Sequence, residues 1–391
     1  MLNTSFSPWP SYTQEEADAV SQVLLSNRVN YWTGKECREF EREFAEFAGT
    51  NHAIAVANGT VALDLALKAL GIGAGDEVIV TSRTFLASVT CIVNAGAWPV
   101  FADVDADSQG ISAETVASLI NDNTKAVIAV HLAGWPCEMD GLNDLACRHG
   151  LSVIEDCAQA HGATYKGKPV GSLGHVAAWS FCQDKIMTTG GEGGMVTTND
   201  RELWSRMWAY KDHGKSWEAV YEREHLPGFR WLHESFGTNW RMTEMQAAIG
   251  RIQLRRMPDW AERRRANCEA IWQAARECKG LRVPDVPEHI GHAGYKCYVF
   301  VEPTTLKLGW DRNRVMSEIV SAGVPCFSGS CSEVYFEKAI QDAGMAPAER
   351  LPVARELGDT SLMFLVHPTL TAEEVKLTCK VLARVMKEAT A

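Results

Sequence analysis

Leu151-Ser152-Val153-Ile154-Glu155-Asp156 and, further along, Ser180-Phe181-Cys182-Gln183-Asp184-Lys185-Ile186-Met187-Thr188-Thr189-Gly190-Gly191-Glu192-Gly193-Gly194 decide how this chain is read. The first is an apolar run that ends on a carboxylate. The second passes from strand-like residues through one lysine into a glycine-rich turn. Short apolar runs recur through the first two-thirds of the chain, at 53–56, 77–80, 99–104, 126–130, 153–156, 177–181 and 195–198. Helix-period segments at 60–70, 86–95, 112–121, 139–149 and 201–211 lie between them. Alternating strands and helices imply an α/β fold with a mostly parallel sheet covered by helices on both faces. Ligands of such sheets bind beyond the carboxyl ends of the strands. Asp156 and Lys185 both fall there.

The pattern then changes. A helix is expected from 243 to about 275, rich in arginine (Arg251, Arg255, Arg256, Arg263, Arg264, Arg265). Beyond it, strands at 281–284, 295–301 and 325–327 and helices at 312–322 and 372–387 describe a smaller α+β domain. The expected division is 1–250 and 251–391. No internal repeat or low-complexity segment is seen.

Composition bounds the function. The chain has 391 residues, 46% of them hydrophobic, enough for a substantial core. The formal net charge of −11 argues against a nucleic-acid partner and weakly against an anionic membrane surface. No apolar stretch approaches eighteen residues, so no membrane span is expected. The opening Met1-Leu2-Asn3-Thr4-Ser5-Phe6 has no basic region and no long apolar core, so no signal peptide is expected. The twelve cysteines form no CxxC pair and no zinc spacing. No metal site is expected, and reduced thiols in a cytoplasmic protein fit best.

The candidate chemistry rests on a lysine and a carboxylate one strand apart. Lys185 reads as a Schiff-base amine, with a surface loop lysine as the plain alternative. Asp156 reads as the partner of a pyridinium nitrogen, or as an ordinary helix cap. Together they are what pyridoxal phosphate requires: an amine for the aldehyde, and an anion that keeps the ring protonated. Asn58-Gly59-Thr60 ends one strand and opens a helix, whose first-turn N–H groups favour a phosphate; a plain Asn-Gly turn needs no ligand. Ser180 offers a hydroxyl to the same phosphate, or is a satisfied strand serine. Phe85 offers a ring to stack on the pyridine, or packs in the core. Gln159 stands one helical turn after Asp156 and reaches the cofactor or solvent. Arg83, beside Thr84-Phe85, is a candidate for substrate anions at the mouth of the site, or a structural ion pair. Asn239 has no chemistry assignable from spacing alone.

As a set, these segments resemble the DegT/StrS type of sugar-nucleotide aminotransferases, within the aspartate-aminotransferase fold (fold type I). The matching residues are Asn58-Gly59-Thr60, Thr84-Phe85-Leu86-Ala87-Ser88, Glu155-Asp156-Cys157-Ala158-Gln159-Ala160, Ser180-Phe181, Lys185, Thr188-Thr189-Gly190 and Asn239-Trp240-Arg241-Met242. The resemblance implies a large domain with a seven-stranded, mostly parallel sheet and a smaller C-terminal domain. It implies pyridoxal 5'-phosphate as cofactor, with Lys185 as Schiff-base lysine and proton shuttle and Asp156 on the ring nitrogen. Phe85 and Gln159 would lie on the two ring faces, and Gly59, Thr60 and Ser180 on the phosphate. Asn239 would reach the phosphate of the neighbouring subunit, making a homodimer with a shared site. The implied reaction moves an amino group, usually from glutamate, to a nucleotide-linked keto sugar. Lysine rather than histidine at 185 argues against the dehydrating branch.

Three features depart from the family pattern: an additional glycine in Gly190-Gly191, a changed segment from Val324 to Glu333, and Arg83 at a position more often neutral. Competing readings are a pyridoxal-phosphate dehydratase or synthase, a cyclitol aminotransferase, and a non-catalytic sensor. The last is disfavoured because every cofactor position holds a competent residue type.

Overall fold

The computed structural model describes residues 6–390. The reading of residues 1–5 as free of a signal peptide lies outside the described residues.

Every one of the seven apolar runs forms a strand of one sheet. From edge to edge the order is His52–Val56, Gly194–Thr198, Val176–Ser180, Ser152–Asp156, Thr124–Val130, Glu77–Thr81 and Trp98–Ala102. Only Gly194–Thr198 runs against its two neighbours. The central strands are almost wholly buried because helices cover both faces; all residues of Val176–Ser180 are buried. The helices Gly59–Ala69, Ala87–Asn94, Met139–His149 and Arg201–Tyr210 fall where their periodicity placed them. The expected helix at 112–121 is shorter, Ala113–Ala117, begun by the Ser112 side chain accepting from Thr115 N–H.

The long helix is Glu244–Arg276, begun by a reciprocal cap between Thr243 and Gln246 and carrying Pro258 inside it. Its arginines are clamps. Arg251 pairs with Glu36 and Glu43, and Arg256 with Glu15 and Glu16. They hold the helices Gln14–Leu25 and Glu36–Ala48 to the large unit.

A second, antiparallel sheet has the order Leu281–Arg282, Cys297–Val301, Ser361–Phe364, Cys326–Phe327. Its core joins Val299, Leu362 and Phe364 to Leu382 and Val385 of the helix Ala372–Ala389, and to Cys268 and Trp272 of the long helix. A cut at residue 250 therefore falls inside one continuous helix. The chain also crosses back: Val334, Tyr335 and Ile340 belong to the large core. Val334 N–H donates to Ser82 C=O, and Asp103 caps the helix Pro352–Thr360 through Val353 and Ala354 N–H. The changed segment from Val324 to Glu333 thus supplies the edge strand Cys326–Phe327 of the small sheet and then leads back to the large core.

Candidate active site

The cleft lies at the carboxyl ends of the large sheet. It encloses about 580 Å³ and is lined by Asn58, Gly59, Thr60, Phe85, Asp156, Gln159, Ser180 and Lys185, with Thr84, Ser88, Asp184 and Glu192. Eight of the ten candidate residues are thus brought together by folding. Each comes from a strand end or the turn after it, where the backbone leaves the sheet.

Asp156 ends the strand Ser152–Asp156 and is buried. Its carboxylate accepts from Ser88 Oγ at 2.8 Å and from Ala158 N–H at 3.1 Å. Ser88 in turn shares a hydrogen bond with Thr84 Oγ at 2.9 Å. Burial raises the Asp156 carboxyl above the usual aspartate range, against those bonds and the charge of Lys185. A carboxylate so desolvated gains strongly from one further charged donor.

Lys185 sits in the turn after Val176–Ser180, its side chain 16% exposed. Its Nζ is 3.6 Å from Asp184 Oδ1 and 5.4 Å from the centroid of the Tyr295 ring. Tyr295 donates its hydroxyl to Asp184 Oδ2 at 2.5 Å. Burial opposes the Asp184 charge, but Lys185 and that hydroxyl outweigh it and hold the carboxyl below its usual range. Lys296 Nζ lies 4.8 Å from the same ring, and burial, with Arg264 and Lys185 nearby, brings its pKa down to about 8. Lysine and carboxylate were found from sequence; Ser88 lay inside a quoted motif without a role. Tyr295 and Lys296 gave no signal, because they come from the bend before the strand Cys297–Val301, more than a hundred residues away.

The end of the cleft at Asn58-Gly59-Thr60 is built by close approach. The helix Gly59–Ala69 starts at the cleft, and Asn58 Oδ1 caps Val61 N–H at 3.0 Å. The first-turn N–H groups have no partner within the helix, which makes this end able to take an anion. A Cβ on Gly59 would stand 2.6 Å from Ser180 Cβ, and one on Gly194 2.4 Å from Asn58 C=O. Only glycines let these three strand ends meet. Ser180 Oγ accepts from Cys182 N–H at 3.3 Å, leaving its own proton for a ligand. Gln159 is fixed by accepting from Ala133 N–H at 2.9 Å. Phe85 is 69% exposed, a ring at the cleft wall and not a core residue. An aldehyde, a pyridine ring and a phosphate find an amine, an anion, a flat apolar wall and a helix N-terminus here, so the residues present fit pyridoxal phosphate.

Two candidates stand apart. Arg83 is fully buried and does not face the mouth of the cleft, which corrects the expectation that it meets substrate anions there. It donates to Gln109 Oε1 and Ser361 Oγ, both at 2.9 Å, and lies over the Tyr298 ring at 5.5 Å. Its partners are neutral, so it is no ion pair either: it ties the large sheet to the small one. Asn239 is exposed and outside this cleft. It pairs by backbone with Asp212, and the next residue, Trp240, accepts from Ala57 N–H just before Asn58-Gly59-Thr60.

The additional glycine has a definite path. Gly190 and Gly191 have φ of 87° and 123°, and Gly191 pairs with Cys182 across the base of the turn. His131, Glu155 and Cys157 also cluster, fully buried beneath the sheet end. His131 and Glu155 are already engaged: His131 Nδ1 accepts from Cys137 N–H, and Glu155 accepts from His131 and from the N–H groups of Gly171, Leu173 and Gly174.

Known proteins share this arrangement. The chain is 34% identical over 378 residues to the GDP-perosamine synthase of Escherichia coli O157:H7, covering 95% of each chain. It is 42% identical over 266 residues to the dTDP-3-amino-3,4,6-trideoxy-alpha-D-glucose transaminase of Streptomyces venezuelae, covering 68% of this chain and 66% of that one. The crystal structure of an aminotransferase from Psychrobacter cryohalolentis superposes with a TM-score of 0.97 at 64% identity, over 98% of this chain and 99% of that one. Residues 10–383 match the family model. The chain belongs to the DegT/DnrJ/EryC1/StrS aminotransferase family, and pyridoxal phosphate is its cofactor.

Proposed function

We propose that this aminotransferase moves an amino group from glutamate to a keto sugar carried on a nucleoside diphosphate. The observation that carries the reading is one cleft holding the Lys185 amine, the buried Asp156 carboxylate and a helix N-terminus closed to any Cβ. The nucleotide-sugar part is supported by the activities named for its relatives.

Bound pyridoxal phosphate supplies an aldehyde that condenses with amines and a ring that takes up electrons from a substrate carbon. The protein's part is holding and proton handling. Asp156 would accept the ring N–H and keep it protonated. The first turn of the helix Gly59–Ala69, with Thr60 and Ser180, would hold the phosphate. Phe85 and Gln159 would confine the ring. Lys185 would carry the proton between the donor's α-carbon and the cofactor carbon that bore the aldehyde, across the nitrogen that joins them, with Asp184 and Tyr295 holding its Nζ near the cleft.

The active unit in this reading is a homodimer, with Asn239 completing the phosphate site of the other copy. Leu226, Phe229, Trp231 and Phe236 support it: all are more than three-quarters exposed, shortly before Asn239. Such a surface is normally covered. An inactive Lys185→Ala chain mixed with an inactive Asn239→Ala chain should regain partial activity, because one site of each heterodimer is intact. A verified heterodimer without recovery sinks the shared site.

Among the described residues no helix is long and apolar enough to cross a membrane. All twelve cysteines are unpaired, which supports a reducing, cytoplasmic setting. The test of function is a panel of nucleotide-linked keto sugars with glutamate, read by product mass. A cyclic keto acid and a keto cyclitol belong in the panel. Conversion of those alone, with no amino sugar formed, overturns the proposal.

A further inference from the structure

Lys185 is reached from behind by a side chain far away in sequence. Trp9 donates its indole N–H to the Lys185 backbone carbonyl at 2.8 Å. The carbonyl is that of the lysine itself, so the bond fixes the Cα from which the amine extends. Lys185 N–H meanwhile donates to Cys182 C=O in the same turn. Lys185 is therefore held at both of its peptide groups.

The indole is fixed on several sides. Trp260 meets it edge-on, with centroids 5.1 Å apart, and His367 stacks on it at 6.0 Å. The guanidinium of Arg264 lies 4.9 Å from the ring. Arg264 is buried, and its Nε and Nη2 have no hydrogen-bond partner among the described residues. A desolvated cation of this kind is stabilised by an aromatic face, which resists rotation of the indole.

The segment before Trp9 is anchored to the small unit. Phe6 packs against the second core. Ser7 donates through N–H and Oγ to the Glu374 carboxylate, at 2.5 and 3.0 Å. Pro8 C=O accepts from Thr369 Oγ at 2.8 Å. Residues 6–9 thus form a strap from the small unit to the backbone of the active-site lysine.

We propose that Trp9 is a positioning residue: through this strap it holds the Lys185 amine where it can condense with the cofactor aldehyde. The inference rests on Lys185 being that amine. In the condensation the Lys185 nitrogen adds to the aldehyde carbon, a C=N bond forms and water leaves. Pyridoxine 5'-phosphate has the same ring and phosphate, but an alcohol in place of the aldehyde, so it has no such bond to form. The ratio of the two affinities for the apoprotein isolates what the lysine contributes.

The test measures both dissociation constants for wild type, Trp9→Phe and Lys185→Ala apoprotein. Trp9→Phe keeps an aromatic ring against Trp260 and Arg264 but removes the N–H. It should weaken pyridoxal phosphate about tenfold, some 1.4 kcal/mol, and leave pyridoxine phosphate unchanged. Thr369→Val, which removes the bond to Pro8 and the one to the His367 ring stacked on Trp9, should shift the ratio the same way by less. It carries the test alone if Trp9→Phe does not fold. A ratio equal to wild type, with both affinities unchanged or both reduced alike, overturns the positioning role. Lys185→Ala should abolish the preference for the aldehyde; if it keeps that preference, the assignment of Lys185 fails, whatever Trp9 does.

Discussion

At Asp156 the fold maintains a carboxylate in a place that disfavours its charge. Burial pushes its pKa up, and two hydrogen bonds only partly compensate. In the proposed mechanism a pyridinium N–H would be the further partner. Asp156→Asn should keep the cofactor but lower turnover roughly a hundredfold, about 2.7 kcal/mol of barrier, because a neutral amide holds the ring proton less firmly. Steady-state rates with cofactor saturating check this, and a rate near wild type assigns the task to another group. Arg83 teaches the opposite lesson. Sequence placed a guanidinium next to Thr84-Phe85 and suggested anions; the structure buries it against Gln109 and Ser361. Adjacent residues on a turn point to opposite sides, and no local pattern says which one faces the cleft. Arg83→Gln should leave both substrate KM values unchanged and lower stability by roughly 1–3 kcal/mol, because Gln109 loses its partner and the Tyr298 face its cation. A raised KM for either substrate with unaltered stability would restore the binding role.

Elements differ in how openly the sequence announces them. The seven strands of the large sheet were legible because burial on both faces makes each a short apolar run between turn signals. The strand Ser361–Phe364 was not, because the helix Pro352–Thr360 runs straight into it with no glycine or proline between. The two-residue strands Thr164–Tyr165 and Lys168–Pro169 were invisible for another reason. Their turn takes positive φ at Lys166 and Gly167, and lysine is no signal for that backbone. The site followed the same division. Residues on large-sheet strand ends were found, whereas Tyr295, Lys296 and Trp9 arrive by tertiary packing alone. The helix Gly59–Ala69 is the element on which cofactor binding should turn. Gly59→Ala drives a methyl into Ser180 Cβ at 2.6 Å, so strand and helix must part. Pyridoxal phosphate and pyridoxine phosphate should both weaken by tenfold or more, since the lesion is at the phosphate and not at the amine. Equal affinities in mutant and wild type would place the phosphate elsewhere.

Across the whole molecule, buried histidines set how the protein meets acid. His161, His292 and His367 lie in three different places: against Trp179 and Phe181, between Trp135 and Trp272, and on Trp9. Burial dominates at each and lowers the pKa, to about 3 for His161 and His367 and about 4 for His292. Lys185 and Arg264 add to it at His161, and Arg264 and Lys296 at His367. In the unfolded chain all three titrate near 6.5. Below that pH the unfolded state takes up protons that the folded state refuses, so stability falls as pH drops from about 6.5 and levels off only near 3–4. At pH 5 the loss is about 2 kcal/mol per histidine. The raised carboxyls of Glu41 and Asp156 work the other way, because the folded state binds their protons first. His161 offers the clean test, since neither ring nitrogen has a hydrogen-bond partner among the described residues. His161→Phe fills the same aromatic site and cannot charge. Thermal unfolding of the apoprotein at pH 7.5 and 5 should show a smaller loss of stability for this variant than for wild type, by about 2 kcal/mol. Parallel losses in the two proteins would mean that His161 titrates alike folded and unfolded, and that the acid sensitivity arises from other groups.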